Sequence, residues 1–304
     1  MQNPSHKHHY LPVFYTRRWT GSDGRLEQFH QPYGPLVKAR RLHPEGIGYV
    51  DQLYELRGLE PALAQQIETA FFKPVDNLAA RALAHLENGR RNPEWDDDTR
   101  SAWSRFLLSL IMRHPAAIRD LKYEWTRRIF EITPEEEAAY QIERESHHPL
   151  TYREYLKGEG QRLIEHSALA QLLKLTDHEG SGQRLNNMLW ATITTEGSYL
   201  RFLTCDDPVV RTDGLDHEAV AITLPIGLDL LFVAARSRHV IELLLNTKPI
   251  ELVKRVNLEI VTRANPMSTA PIDPSNTSFR STCRVIGSPA CLPRSCPPSS
   301  TKAA

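Results

Sequence analysis

The chain has 304 residues, with 37 basic and 37 acidic side chains and a formal net charge of zero. Its apolar share of 40% and mean hydropathy of −0.44 suit a soluble globular protein with a sizeable core. Those totals exclude a globally basic nucleic-acid binder, though not a local basic patch. With no apolar run of about 18 residues, they also exclude a helix that spans a membrane. Met1 to His9 is polar and carries no signal core, so the expected location is the cytoplasm. Of the four cysteines, Cys283, Cys291 and Cys296 lie near the end of the chain, which is no secreted disulfide framework.

Residues 1–7 read as a loose leader. A short helix is expected near Pro12, where Leu11, Phe14 and Tyr15 recur at helical spacing. Gly21-Ser22-Asp23-Gly24 is a turn. Arg25 to His30 and Leu36 to Leu42 then read as two strands of a small antiparallel unit, broken between Gln31 and Pro35; Tyr49 to Leu56 would be a third. From Pro61 the period becomes helical, with an interruption at Pro74 and a stop at Asn88-Gly89. Trp103, Phe106, Leu107 and Leu110 form an apolar stripe up to Arg113-His114-Pro115, where a second helix restarts. Thr133-Pro134-Glu135-Glu136 combines an N-cap, a first-turn proline and a capping-box glutamate. A further helix through Leu163, Leu169 and Leu172 is expected to close at Gly180-Ser181-Gly182. Strands return at Met188–Thr195, Leu200–Thr204, Ala219–Leu224 and Leu228–Ala234, before a last helix or pair of helices, kinked near Pro249.

The order of strands, helices, strands and helix predicts an α+β fold. N- and C-terminal strands would form a mixed or antiparallel sheet, with a large helical middle of about residues 61–180 packed on it. One domain would cover 8–265. After Asn265 the composition turns Pro/Ser/Thr-rich and loses apolar periodicity. Residues 266–304 read either as a disordered tail or as the product of a shifted reading frame. Reading one base earlier across Met267-Ser268 and Ile272-Asp273-Pro274 permits a Val-Tyr…Arg-Pro sequence.

The opening, His9-Tyr10-Leu11-Pro12 with Phe14-Tyr15 and Arg17 to Trp19, resembles the bacterial family known as domain of unknown function number four-two-three-eight, whose members begin His-Tyr-x-Pro-x-Phe-Tyr. Phe202-Leu203-Thr204-Cys205-Asp206-Asp207-Pro208-Val209 is similar to that family's Phe-x-Thr-Ser-Asp-x-Pro-Val, and Arg113-His114-Pro115 to its Arg-Thr-Pro. Glu68 and Asp76 stand where the family carries acidic residues on its first helices. The resemblance covers roughly residues 8–265; Thr16, Trp19 and Cys205 depart from it. It implies an architecture and positions of interest, and no activity.

Candidate chemistry follows from residue type. His9 would act as a base or metal ligand. Arg17 and Arg113 would hold an anion through their planar forks. Asp206, at a strand end, would orient or ligate. Glu68 and Asp76, eight apart, would offer carboxylates to a divalent metal if Pro74 leaves the helix intact. Cys205 has no partner base nearby in sequence and reads as a small buried hydrophobe. No phosphate loop, G-x-S-x-G, H-E-x-x-H or C-x-x-C is present. Two functions remain in play. One is a hydrolase acting on a phosphate-bearing or nucleic-acid substrate through His9, Arg17, Arg113 and Asp206. The other is a non-catalytic binding or regulatory protein in which the same polar residues are structural.

Overall fold

The computed structural model describes residues 7–33, 36–55, 66–88, 95–264 and 285–287. The fold is α+β, and among the described residues every strand pairing is antiparallel. Packing divides the chain into two compact units. The first holds residues 1–10, 49–82 and 95–186, the second 11–48, 83–94 and 187–304.

The first unit opens on a ribbon of β1 (Lys7–His9) and β4 (Tyr49–Asp51), with His8 opposite Val50 and His9 opposite Tyr49. The third strand expected through Leu56 stops at Asp51. Gln52 takes a φ of 57° there, a conformation an extended strand cannot continue through. The expected helix start at Pro61 lies outside the described residues. Ile67–Phe72 form a π-turn that runs directly into α2 (Lys73–Asn88), numbered after the short α1 (Val13–Thr16) of the second unit. Pro74 has no N–H for the carbonyl four residues before it. The neighbouring Lys73 N–H reaches back to the Glu68 carbonyl, the wider spacing of a π-turn. Pro74 therefore alters the helix without breaking it.

Helix α3 (Asp97–Met112) starts where the Asp96 carboxylate accepts from the Thr99 N–H at 2.6 Å. The Arg113-His114-Pro115 break holds: α4 (Pro115–Ile129) begins at the proline, with His114 Nδ1 accepting from the Ala116 N–H. The capping box at Thr133 and Glu136 opens α5 (Pro134–Glu143). Thr151 caps α6 (Tyr152–Thr176). Gly180-Ser181-Gly182, expected to terminate a helix, instead lies inside α7 (Glu179–Asn186). The His178 ring accepts from the Ser181 N–H at 3.1 Å, which offsets the weak helix propensity of that run. Tyr54, Ile67, Phe72, Ile118, Leu169 and Leu172 form one core here.

In the second unit Pro12 precedes α1 (Val13–Thr16), which tightens into a 3-10 turn at Arg17–Trp19. One sheet has the order β3 (Leu36–Leu42), β2 (Leu26–Tyr33), β10 (Val285–Gly287), β6 (Thr204–Cys205). Strand β2 runs past the break expected at Gln31, with an irregular register between His30 and Tyr33. Within the segment read as tail, Val285–Gly287 are a strand of this sheet and Ile286 is fully buried; the other residues beyond Ala264 lie outside those described. The second sheet has the order β5 (Leu189–Thr194), β9 (Leu230–Ala235), β8 (Ala221–Pro225), β7 (Val210–Arg211). All six residues of β9 are buried, as an unbroken apolar run requires. Of the two forms expected here, one helix or a pair, the chain adopts the pair, α8 (Arg238–Leu245) and α9 (Pro249–Arg263), and Pro249 opens α9 rather than kinking a continuous helix. Leu252, Val253, Val256 and Ile260 of α9 join Ile193, Phe202, Leu231 and Val233 in the core. Two hydrogen-bonded rings anchor α1 there. The Tyr15 hydroxyl lies 2.7 Å from Thr204 Oγ1 and donates to the Pro225 carbonyl at 2.9 Å, while Trp19 Nε1–H donates to the Phe202 carbonyl at 2.9 Å.

Candidate functional site

Arg113 is the residue on which α3 ends, and its backbone N–H still donates to the Ser109 carbonyl at 2.9 Å. Its side chain is 0% exposed. The guanidinium carbon lies 5.5 Å from the Phe72 ring centroid and 5.8 Å from that of Phe106, within range of a cation–π attraction. Nη1 stands 2.9 Å from Oδ1 of Asp76, whose side chain is 22% exposed. The two are close by charge yet poorly aimed as a hydrogen bond, because neither atom has a well-aligned partner among the described residues. Arg113 Nε and Nη2 and Glu68 Oε2 are also buried without such a partner there.

The carboxylates respond to the same surroundings. Burial pushes the Glu68 carboxyl up to about 7, with the Asp76 charge adding to the rise and Arg113 and Lys73 opposing it. Burial also raises Asp76, against the pull of Arg113. A tyrosine and a histidine complete the cluster. The Tyr54 hydroxyl donates to the Arg113 carbonyl at 3.1 Å, and burial holds its pKa well above the usual value. The Tyr54 N–H donates to His8 Nδ1 at 2.9 Å, and the two rings stack at 5.5 Å and 7°. An Nδ1 that accepts leaves the ring proton on Nε2.

Glu68 and Asp76, read from the sequence as a carboxylate pair, and Arg113, read as an anion holder, thus meet in one place. The π-turn carries Glu68, α2 carries Asp76 and the α3–α4 junction supplies Arg113. His9 lies on the same strand as His8 but on its opposite face, since side chains alternate along β1; its ring is 5.6 Å from that of Tyr49. Arg17 and Asp206 lie in the second unit. Arg17 makes an exposed ion pair with Glu45 at 3.8 Å. Asp206 is 8% exposed just after β6. Its neighbour Asp207 is ion-paired to Arg263, whose Nε–H also donates to the Asp207 carbonyl at 3.1 Å. The Cys205 thiol donates to that carbonyl too, and burial pushes its pKa far up, which makes it a poor nucleophile.

Residues 7–269 match the sequence profile of a family described as protein of unknown function, DUF4238. The chain belongs to DUF4238. No curated protein and no solved structure matches it. Three positions that carried the family resemblance are therefore the charged members of the cluster in this DUF4238 protein. Two residues beside them, His8 and Tyr54, are not among the site residues expected from the sequence. The alternation of a short strand says that one of two adjacent histidines turns inward, but not which. Among the described residues no group of three or more His, Cys, Asp or Glu side chains has a metal-binding arrangement. A guanidinium paired to one of the two carboxylates already supplies the positive charge that a cation would bring. Among the same residues no helix is long and apolar enough to cross a membrane.

Proposed function

We propose that this DUF4238 protein is a non-catalytic binding or regulatory protein, in which the Arg113 cluster locks the first unit together. The observation that carries this reading is the enclosure of Arg113. Its side chain is fully buried, flanked by two phenylalanine rings and held against its own counter-ion. A clamp for an incoming anion needs an accessible fork; a buried ion pair instead fixes which elements meet, since a wrong packing would strand a charge. One cation here ties the π-turn, α2 and α3 together, and its backbone carbonyl takes in Tyr54.

A hydrolase acting on a phosphate-bearing or nucleic-acid substrate is the second reading, and one observation favours it. A carboxyl that titrates near 7 is suited to proton transfer at neutral pH, and Glu68 sits on a π-turn, a distortion that recurs at functional sites. Turnover of p-nitrophenyl phosphate and of bis-p-nitrophenyl phosphate separates the two. The binding reading expects no turnover above buffer. Hydrolysis by the purified protein that disappears in a folded Glu68→Gln variant overturns it.

A further inference from the structure

The β2–β3 hairpin carries Arg25, Lys38, Arg40 and Arg41 against a single carboxylate, Glu27, in a chain whose total charge is zero. The register sorts these charges by face. Glu27 pairs across the strands with Arg41, and the Arg41 guanidinium bonds Glu27 at 3.1 Å and Asp23 at 2.9 Å. That face is neutralised. On the other face Arg40 stands opposite Gln28 and Lys38 opposite His30. Neither Lys38 nor Arg40 has an ion-pair partner among the described residues. Strand β3 is the outer strand of its sheet, and residues 37–41 are all exposed. Two cations at i and i+2 project from one face about 6.6 Å apart along the strand. Only Ala39 intervenes, and the outer edge of the strand has no partner strand among the described residues.

We propose that this face of β3 docks the phosphate backbone of a nucleic acid, with Lys38 and Arg40 as the phosphate contacts. The proposal rests on the binding reading above and names its partner class. Charge complementarity supports this: cations already paired within the fold are costly to recruit, whereas these two have no ion-pair partner to give up among the described residues. Backbone contacts carry little sequence information, so binding is expected to be general in sequence and steep in salt.

The test is fluorescence anisotropy of the full chain with labelled 20-nucleotide single-stranded RNA, single-stranded DNA and duplex DNA, each over a range of salt. Wild type is expected to bind at least one of them. Lys38→Glu/Arg40→Glu is expected to weaken that binding by about tenfold or more and to lower the log–log salt slope by roughly 1.4–1.8, the share of two phosphate contacts. Arg119→Glu/Arg127→Glu, which reverses two exposed arginines on α4, is expected to leave it unchanged. Absence of binding at 50 mM salt overturns the proposal, as does an unaltered slope in the Lys38/Arg40 variant. Two further results also overturn it. Binding to phosphatidylserine vesicles but to no oligonucleotide would assign the face to a membrane. Self-association of a Lys38→Ala/Arg40→Ala variant, with no nucleic-acid binding by wild type, would make the charges guards of a sheet edge. None of these outcomes bears on phosphodiester turnover or on the Arg113 cluster, so the two readings fail separately.

Discussion

Arg113→Met is the sharpest perturbation of the first unit. Methionine keeps most of the length between Phe72 and Phe106 but removes the charge that faces Asp76 at 2.9 Å. Breaking a buried pair from one side typically costs about 3–5 kcal/mol, because the partner charge is left uncompensated. The lost attraction to the two rings adds about 1 kcal/mol, which methionine–aromatic contact partly returns. We expect a loss of about 3–5 kcal/mol, a large part of a typical domain's ~5–15 kcal/mol. Asp76→Leu is expected to cost less, since Glu68 lies within electrostatic reach of both partners and its ionised form can stand in for the missing carboxylate. The double variant, with both charges gone, is expected to recover to within about 1–2 kcal/mol of wild type. Urea unfolding followed by circular dichroism, closed as a double-mutant cycle, measures all three. If Arg113→Met unfolds within about 1 kcal/mol of wild type, or if the double variant loses the sum of the two singles, the cluster is not the lock described above.

Glu68→Gln isolates the linked proton. A folded carboxyl at about 7 against 4.5 in the unfolded chain binds more protons when folded, so its contribution is full below about 4.5 and is lost as pH rises through about 7. The swing is on the order of 3 kcal/mol. The glutamine variant is expected to flatten the stability profile over that window and to gain on wild type at pH 8; parallel profiles would refute the assignment. Tyr15→Phe removes the hydroxyl that donates to the Pro225 carbonyl and touches Thr204, and is expected to cost about 1–3 kcal/mol in chemical unfolding. Gly48→Ala puts a Cβ 2.7 Å from that of Leu11 at a φ of +65°. Clash and left-handed backbone together should cost about 2–4 kcal/mol; thermal unfolding within a degree of wild type would contradict that geometry.

Local chemistry made much of the secondary structure legible. Thr133 and Glu136 announce a helix start because the capping box satisfies two orphan donors within four residues. Pro115 marks a boundary for the same kind of local reason. Pro74 and Gly180-Ser181-Gly182 misled, because the effect of a helix breaker depends on what else bonds the freed groups: a π-turn in one case, the His178 ring in the other. Strand β10 was illegible, since three residues carry no periodicity and their place is decided by β2 and β6 rather than by their own sequence. Likewise, sequence marked Glu68 and Asp76 as one pair of carboxylates and Arg113 separately. That they share one enclosure depends on a helix pairing that no short stretch encodes.

The sheet of the second unit has a consequence for how the protein is made. Its inner strand, β10, bonds β2 near the start of the chain and β6 well beyond the middle. A ribosome delivers the β2–β3 hairpin long before the strand that completes it. During synthesis β2 waits with one row of main-chain groups unsatisfied, a surface on which a wrong neighbour can dock. Closing that gap is a late, long-range event and hence a slow one. A chain truncated before Val285 would lose the strand that joins β2 to β6.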